Sequence, residues 1–146
     1  MPQDNPMMIA VAGSSGAGKT SVANEIAQQL NQDNPGSCLI ISSDRYYRDQ
    51  SHLLEAERDT LNYDHPHTIE FALCREQLEA LKVGTAVQAP NYDFETHSRT
   101  DKTTPISPTG VEVIVFEGIL LLTDEANLID LFDAKIFVES TPDVCF

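Results

Sequence analysis

Gly13-Ser14-Ser15-Gly16-Ala17-Gly18-Lys19-Thr20 fits the spacing G-x-x-x-x-G-K-[ST] and dictates the fold around it. Before it runs Met8-Ile9-Ala10-Val11-Ala12, a short apolar run of strand type. After it, Val22, Ala23, Ile26, Ala27 and Leu30 recur at helical spacing. The loop thus joins a strand to a helix, the context that lets such a loop wrap an anion. Its glycines allow backbone N–H groups to converge, and the helix N-terminus adds partial positive charge. Gly13, Ser14, Ser15, Gly16, Ala17, Gly18, Lys19, Thr20 and Ser21 form the expected phosphate-binding segment. Lys19 would reach the outer phosphates, and the Thr20 hydroxyl would ligate Mg²⁺. A Gly/Ser-rich turn with a chance lysine is the bland alternative. The pattern arises by accident in roughly one chain in 200 of this length, and its flanks make that rarer.

At 146 residues the chain is one domain, long enough to bury about two-thirds of its unfolded surface. We expect a tail over 1–7 and a domain over 8–146. No apolar run approaches the ~18 residues of a membrane span, and the polar start is unlike a signal peptide. Cys38, Cys74 and Cys145 show no C-x-x-C spacing, so they read as small core residues of a reduced, cytoplasmic chain. A net charge of −14 argues against nucleic acid and anionic membranes as partners. It also means that a nucleotide must be held by local devices against an unfavourable global field.

Strand and helix signals alternate. Leu39-Ile40-Ile41-Ser42 predicts a second strand, Leu53 to Arg58 a short helix, and Ile69 to Leu81 a longer helix with Phe71, Cys74, Leu78 and Leu81 on one stripe. Val83-Gly84 should end that helix. Residues 86–108, rich in Pro, Thr and Asp, read as an inserted β-hairpin or long loop projecting from the core. Val111 to Phe116 predicts a buried strand, Leu128 to Phe132 a short helix, and Ala134 to Val138 a fourth strand. The order implies an α/β fold, a parallel sheet flanked by helices with right-handed crossovers. Thr141-Pro142-Asp143 has the signature of a helix start, so we expect the chain to be truncated about a turn into that helix.

Two carboxylates extend the phosphate site. Asp44 lies just past the second predicted strand and Glu117 just past the third. Ligands of open parallel sheets bind outside the carboxyl ends of the strands. An acid at such an end is a hard oxygen ligand for Mg²⁺. Otherwise, Asp44 is a cap and Glu117 a solvated turn residue. Tyr63-Asp64-His65-Pro66 and Tyr92-Asp93-Phe94-Glu95-Thr96-His97-Ser98-Arg99 place aromatics, acids and histidines in polar loops. Such groups stack a base, bind vicinal hydroxyls or address a ring carbonyl. They equally serve to pin loops to a core, with His65 and His67 capping the next helix; the residues alone leave both readings open.

These segments, together with Asp44 to His52, Asn62 to Pro66, Val113 to Leu120 and Lys135 to Val138, make the chain resemble the bacterial uridine kinases (uridine–cytidine kinases). The resemblance implies a fold of the P-loop NTPase type with the hairpin inserted over the acceptor site. It implies catalytic roles for Asp44, as general base on a nucleoside 5′-hydroxyl, and for Lys19. It implies Mg²⁺ among Thr20, Asp44 and Glu117. The ribose would lie against Asp64, with Tyr63, Tyr92, Phe94 and His97 about the pyrimidine. Arg99 also belongs to the nucleoside-binding motif. The family assembles as homo-oligomers and continues past Asp143 into an arginine-rich helix, a lid and a last strand. This chain has only Lys135 as a basic residue after Lys102, so the last strand and lid are expected to be absent.

The expected reaction is transfer of the ATP γ-phosphoryl to the 5′-hydroxyl of uridine or cytidine. A nucleotide-binding fragment without turnover is the alternative from another class. Relatives of the phosphoribulokinase or pantothenate kinase type, with anionic acceptors, are the enzyme rivals. The scattered bases between Asp44 and Thr104 favour a neutral, stackable acceptor.

Overall fold

The computed structural model describes residues 5–13, 18–50, 57, 68–96, 98–119, 121–124 and 126–139. Its centre is a four-stranded parallel sheet of β1 (Met7–Ala12), β2 (Cys38–Ser42), β7 (Val113–Gly118) and β8 (Ala134–Phe137), in the order β2-β7-β1-β8. Between β2 and β7 come the nested hairpin strands β3 (Val87–Ala89), β4 (Tyr92–Asp93), β5 (Ser98–Arg99) and β6 (Thr104–Ile106). The helices are α1 (Lys19–Asp33) and α2 (Phe71–Lys82). The short helix expected over 53–58 lies outside the described residues except Glu57, as does the helix start at Thr141.

Strand alternation divides the core in two. Met8, Ala10 and Ala12 of β1 and Ile114 and Phe116 of β7 face one side, where they pack with Phe71, Cys74, Leu78 and Leu81 of α2. Val11 and Val115 face the other, against Ala23 and Ala27 of α1. The α2 stripe is buried along its whole length, Cys74, Leu78 and Leu81 fully. Two of the three cysteines, Cys38 and Cys74, are buried free thiols.

Several boundaries move. β1 begins at Met7, whose N–H donates to Glu112 O, so the tail expected over 1–7 stops short of it. α2 begins at Phe71 rather than Ile69: Ile69 bridges Tyr47 and the Glu70 N–H donates to Tyr46 O, which holds both residues extended. The third sheet strand starts at Val113, two residues later than Val111. Val111 N–H closes a turn onto Pro108 O, and Glu112 and Val113 both donate to Ser37 O, which sets the strand's entry. The strand then runs on to Gly118 because β2 flanks it to Glu117 and β1 to Gly118. The helix expected over 128–132 is a single 3₁₀ turn, Ile129–Leu131.

The insertion is two stacked antiparallel ladders, β3 with β6 and β4 with β5. It does not simply project. Ala89 is fully buried, and Val87, Tyr92 and Ile106 pack against the larger core cluster. Asn91 holds its waist, donating from Nδ2 to Lys102 O at 3.0 Å and to Thr104 Oγ1 at 3.1 Å.

Candidate active site

The carboxyl ends of β1, β2 and β7 lie side by side, so their register decides what meets there. Ser42 of β2 stands opposite Glu117 of β7, and Glu117 stands opposite Val11 of β1. Glu117 is thus the penultimate residue of its strand, not a turn residue beyond it. Asp44 sits in the 3₁₀ turn Ser43–Tyr46 that leaves β2, as expected. Ser42 lies between the two acids: its Oγ accepts the Asp44 N–H at 3.1 Å, and its hydroxyl opposes the upward shift of the Glu117 carboxyl.

α1 starts at Lys19 behind Gly18, which takes the left-handed conformation at φ 96°. A side chain other than glycine would be strained there. Among the described residues no side chain caps this helix, and its first turn holds no acid. The first-turn N–H groups and Lys19 are therefore available to an anion, the usual chemistry of such a terminus. Gly13 follows β1 directly and is buried; Thr20 and Ser21 are exposed on the first turn. Ser14, Ser15, Gly16 and Ala17 lie outside the described residues.

Charge ties the site together. Asp44 is open to solvent on its outer side, yet the protein packed about its carboxyl pushes its pKa up, and Lys19 pulls against that shift. The Glu117 carboxyl is raised first by burial and then by the charge of Asp44, with Lys19 and the Ser42 hydroxyl opposing. Two like charges meet here with one ammonium near them. A divalent cation relieves such an arrangement, and hard carboxylate oxygens suit Mg²⁺, which takes its other ligands from water and phosphate. Among the described residues no cluster of three or more His, Cys, Asp and Glu forms an all-protein metal cage.

Beside Asp44 opens a cleft of about 290 Å³ lined by Ser42, Asp44, Arg45, Asn91, Tyr92 and Phe94. Tyr47, Tyr92 and Phe94 form a three-ring cluster with centroids 5.0–5.5 Å apart. Both open readings of the aromatics meet here: Tyr92 and Phe94 pack on Tyr47, and Phe94 remains 47% exposed at the cleft. Arg45 turns to the hairpin waist, its Nη1 donating to Asn91 Oδ1 and to Pro90 O at 3.4 Å. Arg99 does not face the cleft as a lone cation. Its guanidinium donates to Tyr47 O at 3.1 Å and Tyr46 O at 3.3 Å and pairs with Glu70 at 2.7 Å. It fastens the hairpin to the segment carrying Asp44. Tyr63, Asp64 and His97, with His65 and His67, lie outside the described residues.

The model of the phosphoribulokinase / uridine kinase family matches residues 8–146. The chain belongs to that family. A uridine kinase of Lactobacillus johnsonii is 42% identical over 146 residues, taking in all of this chain and 67% of the relative. One of Brevibacillus brevis is 43% identical over 140 residues, 96% of this chain and 63% of the relative. The chain thus spans about two thirds of the length of these curated relatives. Among solved structures, one described as a possible uridine kinase from Bacillus stearothermophilus superposes with a TM-score of 0.73 at 19% identity, covering 99% of this chain and 76% of that one. That likeness supports the family's α/β fold.

Several residues at the site, Arg45 and Asn91 of the cleft among them, were not singled out from the sequence. Ser42, Ser43 and Gly118 act through strand register and close approach, which the sequence does not display. Tyr47 lies in the family-like segment 44–52, and its packing on Tyr92 and Phe94 emerges only in the fold.

Proposed function

We propose that the chain carries the site for Mg²⁺-dependent transfer of the ATP γ-phosphoryl to the 5′-hydroxyl of uridine or cytidine, a step of pyrimidine salvage in the cytoplasm. The observation that carries the acceptor class is the cleft beside Asp44. Among the described residues it is walled by aromatic and polar groups and one cation, Arg45, which is engaged by Asn91 and Pro90. An anionic sugar phosphate or acid would want an uncommitted cation there. A neutral nucleoside, with a ring to stack and hydroxyls to bind, suits it better.

In this reading the phosphates lie on the first turn of α1, with Lys19 on the outer ones. Thr20, Asp44 and Glu117 would hold Mg²⁺, which supplies charge neutralisation on the phosphates. Asp44 accepts the proton of the attacking 5′-hydroxyl. Burial raises its pKa, against the pull of Lys19, and a more basic carboxylate takes a proton more readily. Tyr92 and Phe94 stack the acceptor, and Arg99 holds their hairpin in place. The family resemblance adds Tyr63, Asp64 and His97 as nucleoside contacts, and homo-oligomeric assembly.

The test is ADP release from the intact protein with uridine and cytidine as acceptors, and ribulose 5-phosphate and pantothenate as controls. Turnover with the nucleosides alone is expected. Turnover confined to the anionic acceptors would move the protein to the other branch of its family.

A further inference from the structure

Ser43 is fully buried, and its hydroxyl has no hydrogen-bond partner among the described residues. Burying an unpaired hydroxyl costs free energy, so its place needs a reason. It lies against Gly118. A Cβ built on Gly118 would stand 1.9 Å from Ser43 Oγ and 2.7 Å from Ser43 Cβ, far inside van der Waals contact. Ser43 immediately precedes Asp44, and Gly118 immediately follows Glu117. This close approach between the β2 turn and β7 is therefore next in sequence to both acids of the site.

The two sides of this contact differ in freedom. β7 is held by β1 through Gly118 and by β2 through Glu117, so it is the firmer side. The turn 43–46 leaves the sheet and is held from above by Arg45 and Arg99. Any bulk at the contact must displace the turn, and Asp44 with it, away from Glu117.

The geometry points to the Ser43–Gly118 contact as the spacer that sets the separation of Asp44 and Glu117, and so how tightly the pair takes a divalent cation. It rests on the reading of the site proposed above. Ser43 and Gly118 are positioning residues and touch no substrate. Displacing a ligand by changing its support commonly costs ~10–100-fold in metal affinity.

The probe is Mn²⁺ with a non-hydrolysable ATP analogue, its binding read by electron paramagnetic resonance so that no turnover is needed. Circular dichroism melting follows the fold of each variant. Gly118→Ala should weaken Mn²⁺ binding by about 10- to 100-fold. Adding Ser43→Gly to it removes the obstructing atoms and should restore binding to near the wild-type value. The double variant should still melt below wild type, because it gains an Ala–Gly mismatch and chain entropy. Recovery of metal affinity without recovery of stability separates a spacer from a merely structural contact. Wild-type binding by folded Gly118→Ala, or a double variant as weak as the single, overturns the proposal. Ser43→Cys enlarges the contact without touching β7 and gives the same test if Gly118→Ala does not fold: wild-type binding by folded Ser43→Cys overturns it too. Asp44→Asn and Glu117→Gln serve as controls. If neither reduces Mn²⁺ binding, it is the assignment of the metal site that fails, and the spacer with it; if both do and Gly118→Ala does not, only the spacer fails.

Discussion

Asp44, Glu117 and Lys19 carry opposing demands at one strand edge. Burial makes both acids hold protons more tightly in the folded chain than in the unfolded one, and the charge of Asp44 adds to the shift of Glu117. Their contribution to stability is therefore full below the ordinary carboxylate range and is lost as pH rises from there through their raised values. Asp130 behaves oppositely. Its bidentate bond to Arg75 holds its pKa down at about 2, so its contribution is present above the ordinary carboxylate range and lost as pH falls toward about 2. Asp44→Asn should accordingly raise the melting temperature of the metal-free protein at pH 7 and lower the Glu117 pKa, as followed by carboxyl NMR. A lower melting temperature would show that the pair is not under tension. The same substitution should cut kcat by ~10²–10⁴ through loss of the base, with a smaller change in uridine binding. Lys19→Ala should weaken ATP binding in calorimetry by about 10- to 100-fold, the worth of one or two charge-assisted hydrogen bonds. These three residues were legible because a contiguous motif and two strand ends announce them. Ser42 and Ser43 were not: a serine after a strand has no signature until register sets it opposite Glu117 or under Gly118.

At the level of elements, the insertion is where most site geometry is made. Its inner ladder pairs Tyr92 with Arg99, so one rung presents an aromatic to the cleft and a guanidinium to the chain beneath. Arg99 and Glu70 are each about a quarter to a third exposed, and Arg99 adds two carbonyl bonds. Arg99→Ala should lower stability by about 1.5–3 kcal/mol in urea titration and raise the uridine KM more than the ATP KM. Equal effects on both would show that the hairpin does not serve the acceptor alone. The helix α2 was legible from its stripe, since four apolar positions at helical spacing admit few other folds. Leu78→Ala, at its centre and fully buried, should cost about 2–5 kcal/mol by the same method. The two-storey form of the hairpin was not legible, because Pro90, Asn91 and the stretch 100–103 interrupt any alternation that a ladder would leave.

Over the whole molecule the net charge of −14 acts against a polyanionic ligand, while the cation that meets it is local. Salt screens the distant charges first, since the Debye length is ~10 Å at 0.1 M. The association rate of Mg²⁺–ATP should therefore rise with ionic strength from low salt up to about 0.1 M, in stopped-flow measurements. A steady fall would mean that Lys19 and the α1 terminus dominate the field at long range. The α/β class and the presence of four parallel strands were legible from the alternation of elements. Their lateral order was not, because nothing local in β1 or β2 says that β7 comes between them.

That order has a consequence for how the chain reaches its shape. β1 and β2 are not neighbours; each finds its sheet partner only in β7, and β1 also in β8. A nascent chain can close the hairpin from Val87 to Ile106 as soon as it emerges, but no rung of the central sheet can form before Val113 has been made. Contacts so distant in sequence form slowly. In pulse-labelled hydrogen exchange during refolding, the amides of β3 and β6 should gain protection ahead of those of β1. The phosphate cradle, encoded first, would then be among the last parts to acquire its form, and the waiting apolar segment Met7–Ala12 is where a holding chaperone would find its grip.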